Sequence, residues 1–323
     1  MELLFDFEDN AVNEMRQHVP GLAVVEDFEF LRSFVETATD ELIDLVGQEV
    51  YEVLVKRYLD DDDLDPALAK KVDQLVRYAQ SIIAKSAYLQ FAPILDLKND
   101  GNGRRMHVDE HSKAPWEWMI TAADEAVFSQ WQKGVNRLMN ELDRIKLEAW
   151  IHSDAYKARQ SLLCAKPADV DPVSKSYWFF SKTLHFNQDA QEDVLPAALG
   201  MDAYQDLLLK LKASDQQLSA EQKQMVSRAK KLIRHLVMVR AFQELPLEFL
   251  PQGLVQRFRS DRDGKKASTP ATEQLLDRAL SYHRSQAELE ATRLRELVRL
   301  QQLQNQEPEQ TKSPDTNEKF YRV

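Results

Sequence analysis

Two stretches of the sequence decide the fold, Pro93–Met106 (PILDLKNDGNGRRM) and Pro246–Phe258 (PLEFLPQGLVQRF), because each interrupts a long helical pattern in the same way. In both stretches a proline follows the apolar positions of a helix, and then come a few apolar residues, a glycine and an arginine. Proline ends a helix and glycine tolerates positive φ, so each stretch predicts a hairpin joint between two helices. A joint that occurs twice predicts a unit that occurs twice.

A shift of 153 positions extends the match well beyond the joints. Without a gap it superimposes these pairs: Gly47 and Gly200, Tyr51 and Tyr204, Leu54 and Leu207, Lys70 and Lys223, Gln90 and Gln243, Pro93 and Pro246, Arg104 and Arg257. With the shift increased by two positions, to 155, Pro115 is aligned with Pro270, and a third helix is predicted to begin there in both copies. The shared glycine, proline and arginine at non-helical positions favour an internal duplication over a chance match of amphipathic helices.

Composition assigns the chain to the all-α class. It has 323 residues, 43% of them apolar, which is enough to bury a sizeable core, and only 8 glycines. Leucine, alanine, glutamate, glutamine and lysine abound, and apolar residues recur at helical spacing before and after each joint. We therefore predict two tandem, related helical-bundle domains, each built as helix, helix, hairpin joint and long helix.

The predicted domain organisation has five parts, namely an N-terminal arm (1–25), a first helical repeat (26–146), a short helix and linker (147–175), a second helical repeat (176–303) and a disordered tail (304–323). Within the third part, Ser153 or Asp154 is predicted to cap a short helix, and KPADVDP is typical of a linker. The tail is predicted to be disordered because it has few apolar residues before its last four.

Charge is distributed unevenly along the chain. Residues 1–150 carry 16 lysines and arginines against 30 aspartates and glutamates, whereas the remainder carries 26 against 23. An acidic half argues against general nucleic-acid binding, because phosphate binding depends on neutralisation by Lys and Arg. Two interpretations stay open, an acidic surface that serves solubility and a polar chain whose halves attract each other head to tail between subunits.

The chain carries no strong signature of catalysis, a metal site or a cofactor. A single cysteine, Cys164, has no histidine near it in sequence and is predicted to be a small packing residue. In the cluster HVDEH, His107 and His111 are four residues apart and could bind Zn²⁺ on a helix, but Asp109 and Glu110 are not spaced as in H-E-x-x-H, the segment is predicted to be a loop, and the second copy has no histidine there. No phosphate-binding or nucleophile motif occurs. We expect a protein that is not an enzyme and takes no cofactor or metal.

Four arginines in the two joints are the candidate interface residues: Arg104, Arg105, Arg257 and Arg259. Arginine pairs bidentately with carboxylates across protein interfaces, so these residues are suited to acidic helices of a neighbouring subunit. The alternative is that each arginine pairs within its own domain.

Three stretches resemble a known protein family: LPLEFLPQGLVQRFRSDRDGKKASTP (245–270), WIHSDAYKARQSLL (150–163) and SYWFFSKTL (176–184). They look like an uncharacterised family of Bacteroidota and prophage proteins encoded among virion structural genes. The resemblance extends from about Phe28 to Leu300 and rests on packing and turn patterns; it brings no catalytic residue with it. Each unit is also similar in outline to phage head–tail connector proteins, which are usually single units of about half this length.

These expectations combine into one functional hypothesis and one alternative. The first is a structural or assembly protein of a phage-like particle, a head–tail connector or adaptor. Its expected partners are further copies of itself, in a homo-oligomer for which a ring is one form, and other virion structural proteins. The alternative is an intracellular helical scaffold or regulator that binds one soluble protein partner. An acidic N-terminus and the absence of a long apolar run predict no membrane partner and a location in the cytoplasm of the producing cell, then in the virion or phage-like particle.

Overall fold

The fold begins with a helical unit that carries one β-hairpin. A computed structural model describes residues 2–7, 10–19, 22, 28–60, 64–95, 97–100, 103–106, 117–213, 218–248, 255–259, 266–270 and 272–305, and for the hairpin strands it describes the backbone alone. The elements of the first unit are α1 (Ala11–His18), α2 (Glu29–Val46), α3 (Gln48–Tyr58), α4 (Pro66–Leu95), β1 (Leu97–Asp100), β2 (Gly103–Met106) and α5 (Glu117–Ile145).

A connecting region and a second unit follow. The connection contains α6 (Glu148–His152) and α7 (Asp154–Gln160). The second unit contains α8 (Pro167–Val170), α9 (Tyr177–Lys182), α10 (Leu184–Asp189), a π-helical segment (Ala190–Val194), α11 (Leu195–Leu199), α12 (Met201–Ala213), α13 (Ala220–Glu248), β3 (Val255–Arg259), β4 (Lys266–Pro270) and α14 (Glu273–Asn305). The prediction of an all-α fold with two tandem, related helical units is confirmed, and the two short hairpins are the strands that the described residues contain.

The duplication is visible in the backbone. Gly47 separates α2 from α3 with φ 93° and ψ 151°, and Gly200 separates α11 from α12 with φ 83° and ψ 148°. This combination of angles is almost restricted to glycine because a Cβ atom would clash with the backbone. The long helix that follows runs from 66 to 95 in one unit and from 220 to 248 in the other, and both lead into an antiparallel hairpin.

The hairpin joints begin slightly later than the sequence predicted. Pro93 lies inside the last turn of α4, which continues to Leu95, so the first strand starts at Leu97. A proline removes one backbone donor, and near the end of a helix this loss concerns a single hydrogen bond. The predicted location of both joints is therefore correct to within a few residues.

The described residues of the N-terminal segment pack in the first hydrophobic core, where the sequence had predicted an arm over residues 1–25. Leu4 and Met15 are fully buried in the same cluster as the apolar faces of α2 to α5. The Tyr51 hydroxyl donates to the carbonyl of Glu2 at 2.9 Å. Burial of a large apolar side chain contributes about 1.5–3 kcal/mol, which holds this segment against its own unit.

The segment KPADVDP differs in the same way from the linker that the sequence predicted. Pro167–Val170 forms the short helix α8, and Val170 is buried in the second hydrophobic core together with Cys164. Lys230 Nζ, on α13, lies 3.2 Å from Asp169 Oδ1. The connection is therefore packed against α13.

A polar cluster joins α5 to the connecting helices and to the start of the second unit. Asp143 accepts hydrogen bonds from Trp150 Nε1 at 3.0 Å, Arg159 Nη2 at 2.7 Å and the Tyr177 hydroxyl at 2.8 Å. The buried Arg159 guanidinium also lies 5.0 Å from the Trp150 ring centre. Burial and the neighbouring Asp143 carboxylate raise the pKa of Tyr177 to about 12. This cluster fixes how the second unit continues from the first.

Candidate interaction surfaces

The two β-hairpins carry the predicted interface arginines on strands of known register. Arg104 and Arg105 lie in β2, and Arg257 and Arg259 lie in β3. Arg104 and Arg105 are adjacent in β2, and Arg257 and Arg259 are two positions apart in β3. The side-chain partners of these four residues lie outside the description, and their role at an interface stays a prediction.

In both hairpins the strand register pairs one cationic residue with another. Lys98 pairs with Arg105 in the first hairpin, and Lys266 pairs with Arg259 in the second. Like charges directly opposite on neighbouring strands are destabilising, so this arrangement does not serve the stability of the hairpins. Neither hairpin joins a larger sheet among the described residues. Each is a cationic element suited to an anionic surface.

An acidic surface, opposite in sign to the hairpins, lies on the first unit. Helices α2 and α3 together contain 7 aspartates and glutamates against 3 lysines and arginines. Asp40 and Asp44 are exposed on α2, one turn apart, and Glu49 and Glu52 are exposed on α3. Part of the negative charge of the first half therefore lies on helix positions that are exposed to solvent.

The interface between α13 and α14 contains a buried ion pair that the first unit does not have. Arg228 Nη1 lies 3.0 Å from both carboxylate oxygens of Glu290, and Arg293 Nη1 lies 2.9 Å from Oε1. The Glu290 side chain is only 5% exposed. By the repeat alignment Leu75 and Val135, both fully buried, occupy the positions of Arg228 and Glu290. The second unit thus replaces an apolar layer with a charged one.

A second polar layer lies two helical turns further along the same two helices. The Nδ1 atoms of His235 and His283 lie 2.9 Å apart, so one neutral ring donates to the other. Burial lowers the pKa of both, and nearby cations on α13 (Arg234, Lys231) lower that of His235 further, against the effect of Glu290. The sequence analysis missed both layers. Their signal was the seven-residue spacing of Arg228 and His235 on α13 and of His283 and Glu290 on α14.

A groove runs along the junction of the two units. Phe128 and Trp131 of α5 stack with ring centres 5.6 Å apart, and Trp178 of α9 meets both rings edge-on. The adjoining cavity has a volume of about 330 Å³ and is lined mainly by polar residues of α5 and of the segment before α9, Lys133 and Asp171 among them. Aromatic rings that stay partly exposed beside polar groups are typical of surfaces that bind other proteins.

The sites considered for chemistry fall into two groups. Cys164 is fully buried in the second core, and burial raises the pKa of its thiol to about 12, so its predicted packing role is confirmed. His107 and His111 lie outside the described residues.

Within the part of the chain that the structure describes, no three His, Cys, Asp or Glu side chains come together as a metal site would need. In the same part, no helix is long and apolar enough to cross a membrane.

Comparison with known proteins supplies a family. No curated protein and no solved structure matches the chain significantly. One family model matches it twice, over residues 42–160 and over residues 195–318. The two matches begin 153 residues apart, which is the shift that superimposes Gly47 on Gly200, and each contains one helix pair with its hairpin. The chain therefore belongs to the family of unknown function DUF6712, whose model matches it over two regions, consistent with an internal duplication.

Proposed function

We propose that this protein is a non-enzymatic structural or assembly protein of a phage-like particle, a head–tail connector or adaptor. Its resemblance to proteins encoded among virion structural genes supports the class. The duplicated helical unit with a projecting hairpin supports the role, because connectors in outline are small helical units of that kind. Its location would be the cytoplasm of the producing cell and then the assembled particle.

The observation that carries the proposal is the cationic character of both hairpins. In each, two cations occupy directly opposite positions, Lys98 with Arg105 and Lys266 with Arg259. Because such pairs destabilise the hairpins that contain them, we expect these cations to bind a surface outside the hairpin. An anionic protein surface fits this role, since arginine pairs well with carboxylates at interfaces.

The partner surface is available on a second copy of the same chain. The acidic face of α2 and α3, with exposed Asp40 and Asp44, is complementary in sign to the hairpins. Contact between different surfaces of identical subunits is heterologous, and such contacts close into a ring when the rotation between subunits permits. Other virion proteins would then bind the rims of this ring.

The testing experiment measures the mass of the purified protein by light scattering at low and high salt over a wide concentration range. An oligomer that dissociates at high salt is expected, because screening weakens attraction between exposed charges. A variant with all four hairpin arginines (Arg104, Arg105, Arg257, Arg259) changed to glutamine should stay monomeric at low salt with unchanged helical content.

A matched control carries arginine-to-glutamine changes on helices instead. Arg32 and Arg144 have side chains that are 54% and 61% exposed and pair with glutamates one turn away on the same helix. Their replacement should leave the oligomer intact, since exposed pairs contribute little to stability. A wild-type protein that is monomeric at every concentration and salt, and that does not bind particles, would overturn the proposal.

The alternative function is an intracellular scaffold or regulator that binds one soluble protein. The groove at the junction of the units favours it, because Phe128, Trp131 and Trp178 present partly exposed rings there. Replacing Phe128 and Trp178 by serine would abolish binding of that partner and leave the mass in solution unchanged. A salt-sensitive oligomer that depends on the hairpin arginines would instead favour the connector.

A further inference from the structure

The first unit has a cover over its α2–α3 corner. Helices α6 and α7 fold back from the end of α5, and Trp150 of α6 is fully buried in the first core. A Cβ atom added to Gly47 would lie 3.1 Å from Ser153 Cβ, so the connecting segment contacts the corner closely. Ser153 also caps α7, accepting a hydrogen bond from the Tyr156 amide.

The equivalent corner of the second unit has no such cover among the described residues. A Cβ atom added to Gly200 would meet nothing within 4 Å, although its backbone angles match those of Gly47. The side chains next to it are correspondingly more exposed. Val50, Tyr51 and Val55 are buried on α3, whereas the equivalent residues of α12 are all partly exposed, namely Ala203, Tyr204 and Leu208.

The end of α14 also leaves apolar residues exposed to solvent. The equivalent helix α5 ends at Ile145, and Lys146, with φ 54°, turns the chain back towards α6. Helix α14 instead continues to Asn305, and its last turns carry Leu300 and Leu303, which are 51% and 56% exposed. Leu300 occupies the position of the half-buried Ile145 by the repeat alignment.

The segment that follows α14 has the right length and character to supply the cover. The family match in the first unit ends at residue 160 and includes α6 and α7, and the match in the second unit ends at residue 318. The second match therefore continues past Asn305, just as the first match continues past α5 through α6 and α7. That stretch contains Ser313, Pro314 and Asp315, an order that favours the start of a helix, as Ser153 and Asp154 do in α7.

We propose that residues 306–323 dock on the second unit of the same chain, across Gly200 and the exposed side of α12, as α6 and α7 do on the first unit. Phe320 and Tyr321 are the large apolar side chains of this segment, and they would supply its apolar contacts to the second unit. Docking would cover Tyr204, Leu208 and Leu303, and it would give the second unit the closed corner that the first already has. The sequence had predicted a disordered tail here, and these residues lie outside the described part of the chain.

The test compares amide hydrogen exchange of the full chain with that of a chain ending at Asn305, at a concentration where light scattering gives a monomer for both. Truncation should raise exchange in α12 (Met201–Ala213) at least tenfold and leave α3 (Gln48–Tyr58) unchanged. The peptide 306–323, added to the truncated chain, should restore the protection. This design does not depend on assembly, so a failure here is distinct from a failure of the proposed function.

A point variant separates docking from any effect of truncation. Phe320→Ser with Tyr321→Ser in the full chain should reproduce the faster exchange of α12, whereas the matched control Lys312→Ser should not. Equal exchange of α12 in the full and truncated chains would overturn the proposal. Protection that appears only as protein concentration rises would also overturn it, because the occupant would then be a second copy.

Discussion

The ion pair between Arg228 and Glu290 allows a stability prediction for which the first unit supplies the reference residues. Arg228→Leu introduces at position 228 the residue type found at the equivalent position 75 of the first unit, and it leaves Glu290 buried. Arg228→Leu with Glu290→Val reproduces the whole apolar layer of the first unit, since Val135 is the counterpart of Glu290. We expect the single variant to be clearly destabilised and the double variant to recover that loss.

The magnitude follows from the contacts of the carboxylate. Arg228→Leu removes two of the three arginine contacts to Glu290, whose side chain is only 5% exposed, and leaves that from Arg293. Breaking a buried ion pair costs about 3–5 kcal/mol. Because Arg293 remains and the Arg228 side chain is 26% exposed, we expect a loss of about 2–3 kcal/mol in the free energy of unfolding. The double variant should lie within about 1 kcal/mol of wild type, or above it.

The assay is urea-induced unfolding followed by helical circular dichroism, with hydrogen exchange of α13 to assign the transition to the second unit. The exposed Arg32→Leu serves as the control and should change stability by less than about 0.5 kcal/mol. A double variant as unstable as Arg228→Leu alone would refute the reasoning, because the cost would then not come from an unpaired buried carboxylate.

Three further predictions concern the histidine pair, the polar cluster at the junction and the helix break. Burial lowers the pKa of His235 and His283, so the unfolded chain binds more protons below about pH 6.5. The melting temperature should therefore be highest above that pH and fall as the pH drops to 5. The double variant His235→Ile with His283→Phe, which introduces the residue types of the first unit, should reduce this fall. Asp143→Asn should cost about 2–3 kcal/mol in urea, because it leaves the buried Arg159 guanidinium without its carboxylate. Gly200→Ala should cost about 1–3 kcal/mol in the same assay, since φ 83° with ψ 148° is almost restricted to glycine.

Each of these predictions has a control and a contrary result. The exposed His185→Phe should keep the full pH dependence, and the histidine prediction is wrong if the double variant keeps it too; His18, whose pKa burial also lowers, accounts for a remainder. Asp44→Asn, at an exposed position, should be neutral, and an equal cost there would contradict the role of the cluster. Gly47→Ala should cost more than Gly200→Ala, because its Cβ would also meet Ser153 at 3.1 Å, and an equal cost would contradict that contact.

Local sequence signals were sufficient for the fold class and for the repeat. Apolar residues at helical spacing predicted the long helices, because burial of one helix face is the main source of their stability. Gly47 and Gly200 marked real breaks, since a positive φ is a property of the residue and its immediate neighbours. The two hairpin joints followed for the same reason.

The same signals failed for segments whose state depends on distant partners. The N-terminal residues and KPADVDP had the composition of an arm and a linker, yet Leu4 and Val170 are buried. Short segments of this kind become ordered when they pack on the rest of the fold, as at Leu4, whose carbonyl accepts a hydrogen bond from the Gln80 side chain of α4. The helix end predicted at Pro93 was also too early, because α4 continues two residues beyond it to Leu95.

The candidate sites also differ in whether local sequence or contacts between distant segments reveal them. The hairpin arginines were found in the sequence because the joints were found there. The cation pairs across each hairpin required the strand register, and the Arg228–Glu290 and His235–His283 layers required the alignment of α13 against α14. Neither register can be read from one strand or one helix alone.

The sequence by itself determined that this chain is helical, duplicated, jointed at two hairpins and divided into an acidic and a mildly basic half. These properties follow from residue type, spacing and local backbone preference. Only the tertiary structure decided that the N-terminus completes the first core, that the second unit holds charged and imidazole layers where the first holds apolar ones, and that the corner at Gly200 is open while that at Gly47 is closed. The physical reason is that burial and ion pairing depend on which surfaces meet, and that is set by contacts between residues far apart in the chain.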